Sequence, residues 1–112
     1  LVRCISGKVL DVAVDLRKSS STYGEHISLI LSEKNKKQFL IPKGFAHGYL
    51  VLSKEAIFAY KVDNYYSPSH DNGIKWDDSD LNINWGFKKL DLLISEKDKN
   101  LASFSKFFNP YI

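Results

Sequence analysis

Apolar and polar positions along this chain come in short runs, and the clearest runs repeat every second residue. Between Val9 and Leu16, Leu10, Val12, Val14 and Leu16 fall on one face, and Val9, Asp11, Ala13 and Asp15 on the other. A period of two is the signature of a strand with unlike faces. Ala56 to Val62 repeats the pattern, with Ala56, Phe58, Tyr60 and Val62 opposite Ile57, Ala59 and Lys61. Leu1 to Ile5, His26 to Leu31 and Gln38 to Ile41 add further β-prone runs. Polar turns at Ser6-Gly7-Lys8, Arg17 to Ser21 and Ser32 to Lys37 separate them. Repeated short strands with tight turns predict an all-β antiparallel sandwich or barrel. The tail differs. Asp63 to Asp80 is rich in Asn, Asp, Ser, Tyr and Pro, with a possible short strand at Gly73 to Trp76 and a helical turn starting near Asp77. Leu101, Phe104 and Phe108 can share one face of a short terminal helix.

The stretch from Ile41 to Ser53 organises the rest. Pro42 supplies no N–H and suits a strand edge or turn, and Gly44 permits a backbone geometry that a larger residue resists. Phe45-Ala46-His47-Gly48 then opens a second apolar run, Tyr49 to Leu52. Two strands joined by a rigid turn would present the His47 imidazole at a fixed place. Spacing alone leaves a hydrogen-bonded structural histidine and a ligand-facing one equally open.

A length of 112 residues suits one domain with a single core. The net charge of +3 is mild and its lysines are scattered, which argues against a nucleic-acid footprint but is compatible with a small anionic ligand. No apolar run approaches a membrane span, and no signal-peptide pattern stands out. Cys4, the sole cysteine, reads as a buried reduced thiol in a cytoplasmic protein. The chain has no methionine and opens directly in strand-like sequence, so a longer chain with a segment upstream of Leu1 is expected.

Candidate chemistry is sparse on residue type alone. His26, His47 and His70 are far apart in sequence, and no metal-ligand spacing links them to one another or to Cys4. A phosphate loop and a nucleophile elbow are both lacking. Tyr60 reads as a core tyrosine, Asp77, Asp78 and Asp80 as a solvated turn, and Asp98 as a surface charge. These residues by themselves imply a soluble β domain of undefined activity.

Ordered motifs carry more. Val9 to Arg17 followed by Ile41 to Tyr49 closely resembles the dTDP-4-dehydrorhamnose 3,5-epimerase family. Tyr60-Lys61 with Asn64 to Pro68, Gly73 to Asp78, and Ile94 to Asp98 follow in the family's order. The resemblance implies a cupin-type jelly-roll β-barrel with short C-terminal helical elements, spanning residues 1–112 as one domain. It also implies a homodimer with no metal or cofactor, acting on a nucleotide-diphosphate sugar. Its reaction would invert C3 and C5 of dTDP-4-dehydro-6-deoxyglucose by removing and returning protons next to a ketone. By motif position Tyr60 is the acid and Asp98 the carboxylate that orients a base histidine. His47 would bind the sugar or stabilise its enolate, and Tyr66 and Lys97 would line the nucleotide side.

Some positions depart from the family pattern. The base histidine and a lysine belong to a segment upstream of Leu1-Val2-Arg3, and none of the three histidines takes the base position. Ser69 stands where many relatives carry glutamate, and Ser79 where proline is common. Lys36 and Val51 differ from the Gly and Asn of metal-binding cupins. Residues 1–112 alone are therefore expected to be inactive and to associate through exposed strand edges. A single-centre 3- or 5-epimerase and a non-catalytic nucleotide-sugar-binding barrel are the alternatives.

Overall fold

The structure, a computed structural model, describes residues 1–62, 73–86 and 92–106. Among these residues six strands follow in order: β1 Val2–Ser6, β2 Lys8–Asp15, β3 His26–Ser32, β4 Gln38–Phe39, β5 Phe45–Val51 and β6 Ile57–Tyr60. They form two antiparallel three-stranded sheets, with strand orders β4-β1-β6 and β3-β2-β5. The expected all-β architecture is present, and the strand positions follow the period-two runs closely.

Two apolar clusters hold the elements together. Between the sheets, Val2 and Cys4 of β1 meet Val9 of β2 and Leu31 of β3, with Phe39 and Phe58 packed against them. On the opposite face of β2, Val12, Val14 and Leu16 are covered by Leu81 from the tail, flanked by Ile74, Ile83, Trp85 and Phe104. As a result β2 is buried on both faces. A strand in that position normally reads as a continuous apolar run. Here two carboxylates, Asp11 and Asp15, interrupt it, and each is fully buried.

The tail gains its order from hydrogen bonds more than from helix. A single α-turn, α1 Glu96–Lys99, starts at Ser95, whose side chain accepts the backbone N–H of Asp98. The helix expected from Leu101 onward is reduced to a 3-10 turn at Phe104–Lys106, and the positions after Lys106 lie outside the described residues. The reason is a competing bridge: Ala102 pairs with Ile74, and the N–H of Lys75 donates to the Ala102 carbonyl at 2.8 Å. The possible strand at Gly73 to Trp76 amounts to that bridge.

Asp78 also departs from the solvated turn expected of it. It is buried, and its carboxylate accepts the N–H groups of Asp80 (2.9 Å), Leu81 (3.2 Å) and Phe104 (2.8 Å). Burial works to raise its pKa, but these three N–H groups outweigh burial and hold it below the usual carboxylate range. Cys4 is a buried free thiol; burial, and secondarily the charge of Glu33, push its pKa up. None of the described helices is long and apolar enough to cross a membrane.

Candidate active site

The turn that ends in β5 sets the site's geometry. Gly44 has φ +86°, the left-handed region that glycine enters freely. Its carbonyl accepts the N–H of Leu16 at 3.0 Å, which ties the turn to the end of β2. β5 then runs antiparallel to β2, with Tyr49 opposite Asp11, Gly48 opposite Val12 and His47 opposite Ala13. His47 and Tyr49 therefore share the face of Asp11, between the two sheets.

Nε2 of His47 lies 2.8 Å and 2.9 Å from the two carboxylate oxygens of Asp11. Hydrogen-bond geometry is met at Oδ2, while Oδ1 has no hydrogen bond among the described residues. Asp11 thus engages the ring through Nε2, and that contact fixes the orientation of the imidazole. The His47 side chain is 28% exposed and that of Asp11 fully buried. The Phe58 ring lies 6.1 Å from the imidazole, nearly parallel to it, and the Tyr49 ring lies 6.2 Å away.

A cavity of about 430 Å³ runs beside this pair. Phe45 to Tyr49, five consecutive residues, all line it. Successive side chains of a strand point to opposite faces, so such a cavity must follow the strand's edge. Among the described strands β5 pairs with β2 alone. Trp85 forms part of the wall: its Nε1 donates to the Trp76 carbonyl at 2.8 Å, and its ring lies 3.3 Å from where a Cβ on Gly48 would stand. Glycine at position 48 lets the indole lie against the strand. Lys75, Lys97 and Asp98 complete the polar part of the lining.

The structure thus brings His47, Lys97 and Asp98 to one cavity. Tyr60 stands apart from its walls. By register Tyr60 pairs with Val2 and shares the inward face with Phe58, but it closes β6 and is 67% exposed. Tyr66, with His70 and Ser69, lies outside the described residues. His47 is bonded to Asp11 rather than Asp98. Asp98 is exposed on α1, where its backbone N–H is held by Ser95. Among the described residues no three His, Cys, Asp or Glu side chains converge as metal ligands would.

Sequence reasoning passed over Asp11 and Tyr49. An acid in the middle of Val9-Leu10-Asp11-Val12-Ala13-Val14 was the available signal, because a carboxylate inside such a run needs a partner.

The sequence model of the dTDP-4-dehydrorhamnose 3,5-epimerase family matches residues 1–106. The chain belongs to that family. It is 54% identical over 101 residues to the dTDP-4-dehydrorhamnose 3,5-epimerase of Methanothermobacter thermautotrophicus, a match covering 89% of this chain and 55% of the relative. The crystal structure of dTDP-4-dehydrorhamnose 3,5-epimerase from Elizabethkingia anophelis NUHP1 superimposes with a TM-score of 0.90 at 48% identity, over 93% of this chain and 57% of that one. The dTDP-6-deoxy-D-glucose-3,5-epimerase of Legionella pneumophila, solved in complex with dTDP-4-keto-L-rhamnose, gives a TM-score of 0.91 at 43% identity, over 96% and 56% of the two chains. The chain therefore spans little more than half the length of these relatives. The expected cupin-type jelly roll is the fold of these neighbours and of this chain.

Proposed function

We propose that this chain carries part of the active site of a nucleotide-sugar epimerase that converts dTDP-4-dehydro-6-deoxyglucose into dTDP-4-dehydrorhamnose. The observation that supports it most directly is one cavity holding His47, locked by buried Asp11, together with Lys97 and Asp98. The substrate's C3 and C5 flank a ketone. Each proton there is acidic because the enolate left behind spreads its charge onto the carbonyl oxygen. A base on one ring face and an acid on the other then invert each centre in turn.

Within that scheme Asp11 holds Nε2 of His47 and fixes the ring at the cavity, where it hydrogen-bonds the sugar. By motif position Tyr60, at the end of β6, is the acid. Asp98 orients the base, a histidine contributed from outside residues 1–112. Lys97 places a cation toward the diphosphate, and Tyr66 takes the nucleotide side. The protein acts as a homodimer in the cytoplasm, where a free buried thiol such as Cys4 stays reduced.

Incubating the intact protein with dTDP-4-dehydro-6-deoxyglucose in deuterated water tests this reading. Deuterium at both C3 and C5 is the expected result. Label at one carbon identifies a single-centre epimerase, and no label with ligand still bound leaves only a binding barrel.

A further inference from the structure

We infer that Tyr49 is a specificity-determining residue of this site, its ring forming the platform on which the apolar edge of the 6-deoxy sugar packs. The inference rests on the epimerase reading above and adds a contact to it. Tyr49 lies directly across from Asp11 in the β2–β5 register and two residues along β5 from His47, so all three side chains share one face. Its ring centroid is 4.6 Å from that of Phe58 on β6, tilted by 33°, and 6.2 Å from the imidazole. Packing on Phe58 fixes the ring, and a tyrosine has few rotors left to order when a ligand arrives.

Yet Tyr49 remains 51% exposed while lining the cavity. A large amphipathic ring, braced on one side and open on the other beside a hydrogen-bonding imidazole, matches a ligand with an apolar edge next to a polar oxygen. A 4-keto-6-deoxyhexose has that shape, with its C6 methyl separated from the ketone by C5. Tyr60, two-thirds exposed and outside the cavity walls, does not offer such a surface.

The test measures binding of dTDP, dTDP-glucose and dTDP-6-deoxyglucose to the intact protein and to Tyr49→Phe, Tyr49→Leu and Tyr49→Ala by calorimetry. The unsubstituted protein and Tyr49→Phe should prefer the 6-deoxy sugar. Tyr49→Ala and Tyr49→Leu should lose that preference by roughly tenfold while holding dTDP as before. An unchanged preference in the Ala and Leu variants overturns the inference. So does loss of dTDP itself in both, which would make the ring a structural support. If the unsubstituted protein binds none of the three, the epimerase reading fails first and takes this inference with it.

Discussion

Asp11 and Asp15 stand four residues apart on one face of β2, and both are fully buried. Their surroundings are opposite. Asp15 accepts four donors. The Arg17 Nε and backbone N–H reach Oδ1, each at 2.9 Å, while Arg17 Nη2, at 2.9 Å, and the Thr22 hydroxyl reach Oδ2. The Arg17 guanidinium also lies 4.9 Å over the Phe45 ring. Asp11 has His47, and its second oxygen receives no hydrogen bond among the described residues. A saturated carboxylate pins a turn. One that holds a single imidazole at a cavity wall keeps that ring placed for the proposed reaction instead. The burial is the same, and the partners make the difference.

The largest effect expected from breaking that contrast is on stability. Asp15→Ala removes the acceptor of the Arg17 fork and of Thr22, and should cost about 3 kcal/mol in urea unfolding, since Arg17 is partly solvated and can relax into water. Turnover per folded molecule should stay as it was. The same residue sets an acid limit. The Arg17 guanidinium foremost, with the Thr22 hydroxyl, holds the Asp15 carboxyl well below the usual carboxylate range. A depressed folded-state pKa contributes stability that is complete above the unfolded value, about 4, and that fades as pH falls toward the folded one. Stability of the unsubstituted protein should therefore decline below about pH 4, and Asp15→Ala should flatten that decline.

Asp11→Asn probes the other carboxylate. It keeps the shape but puts an amide where an acceptor-only carboxylate held Nε2 of His47, so the ring loses its fixed orientation. In the intact protein kcat should fall roughly fiftyfold, about 2 kcal/mol in the barrier, with dTDP affinity nearly unchanged. If Asp11→Asn instead acts only on stability, as Asp15→Ala should, the two carboxylates have the same role and the contrast collapses.

The smallest effect concerns Asp78, whose carboxylate is saturated like that of Asp15 but lies in the tail. Asp78→Ala frees the N–H groups of Asp80, Leu81 and Phe104 and should cost about 1 kcal/mol, comparable to loss of a helix cap. Tryptophan fluorescence would follow it, because the tail residues Leu81 and Trp85 cover the outer face of β2.

Local patterning foretold the strands because alternation is a property of neighbouring residues. Val9 to Leu16 and Ala56 to Val62 carry it plainly; β6 formed within its range, and β2 one residue ahead of its own, at Lys8–Asp15. The tail was less readable. Whether Leu101 onward coils or bridges depends on Ile74, far away in sequence, and the backbone partner prevailed. The motif from Pro42 to His47 pointed to a presented imidazole, but the carboxylate that holds it lies 36 residues upstream.

What the chain determined unaided was its strand periodicity, the glycine-bearing turn at position 44 and its family's ordered motifs, all of which are written in near neighbours. Only the tertiary structure decided that Asp11 and Asp15 are both buried and differently occupied, that Asp11 holds His47, and that Tyr60 stands outside the walls of the cavity His47 lines. Strand pairing joins residues by register across long separations, and burial follows from which sheet or tail segment covers a face. A linear pattern encodes neither.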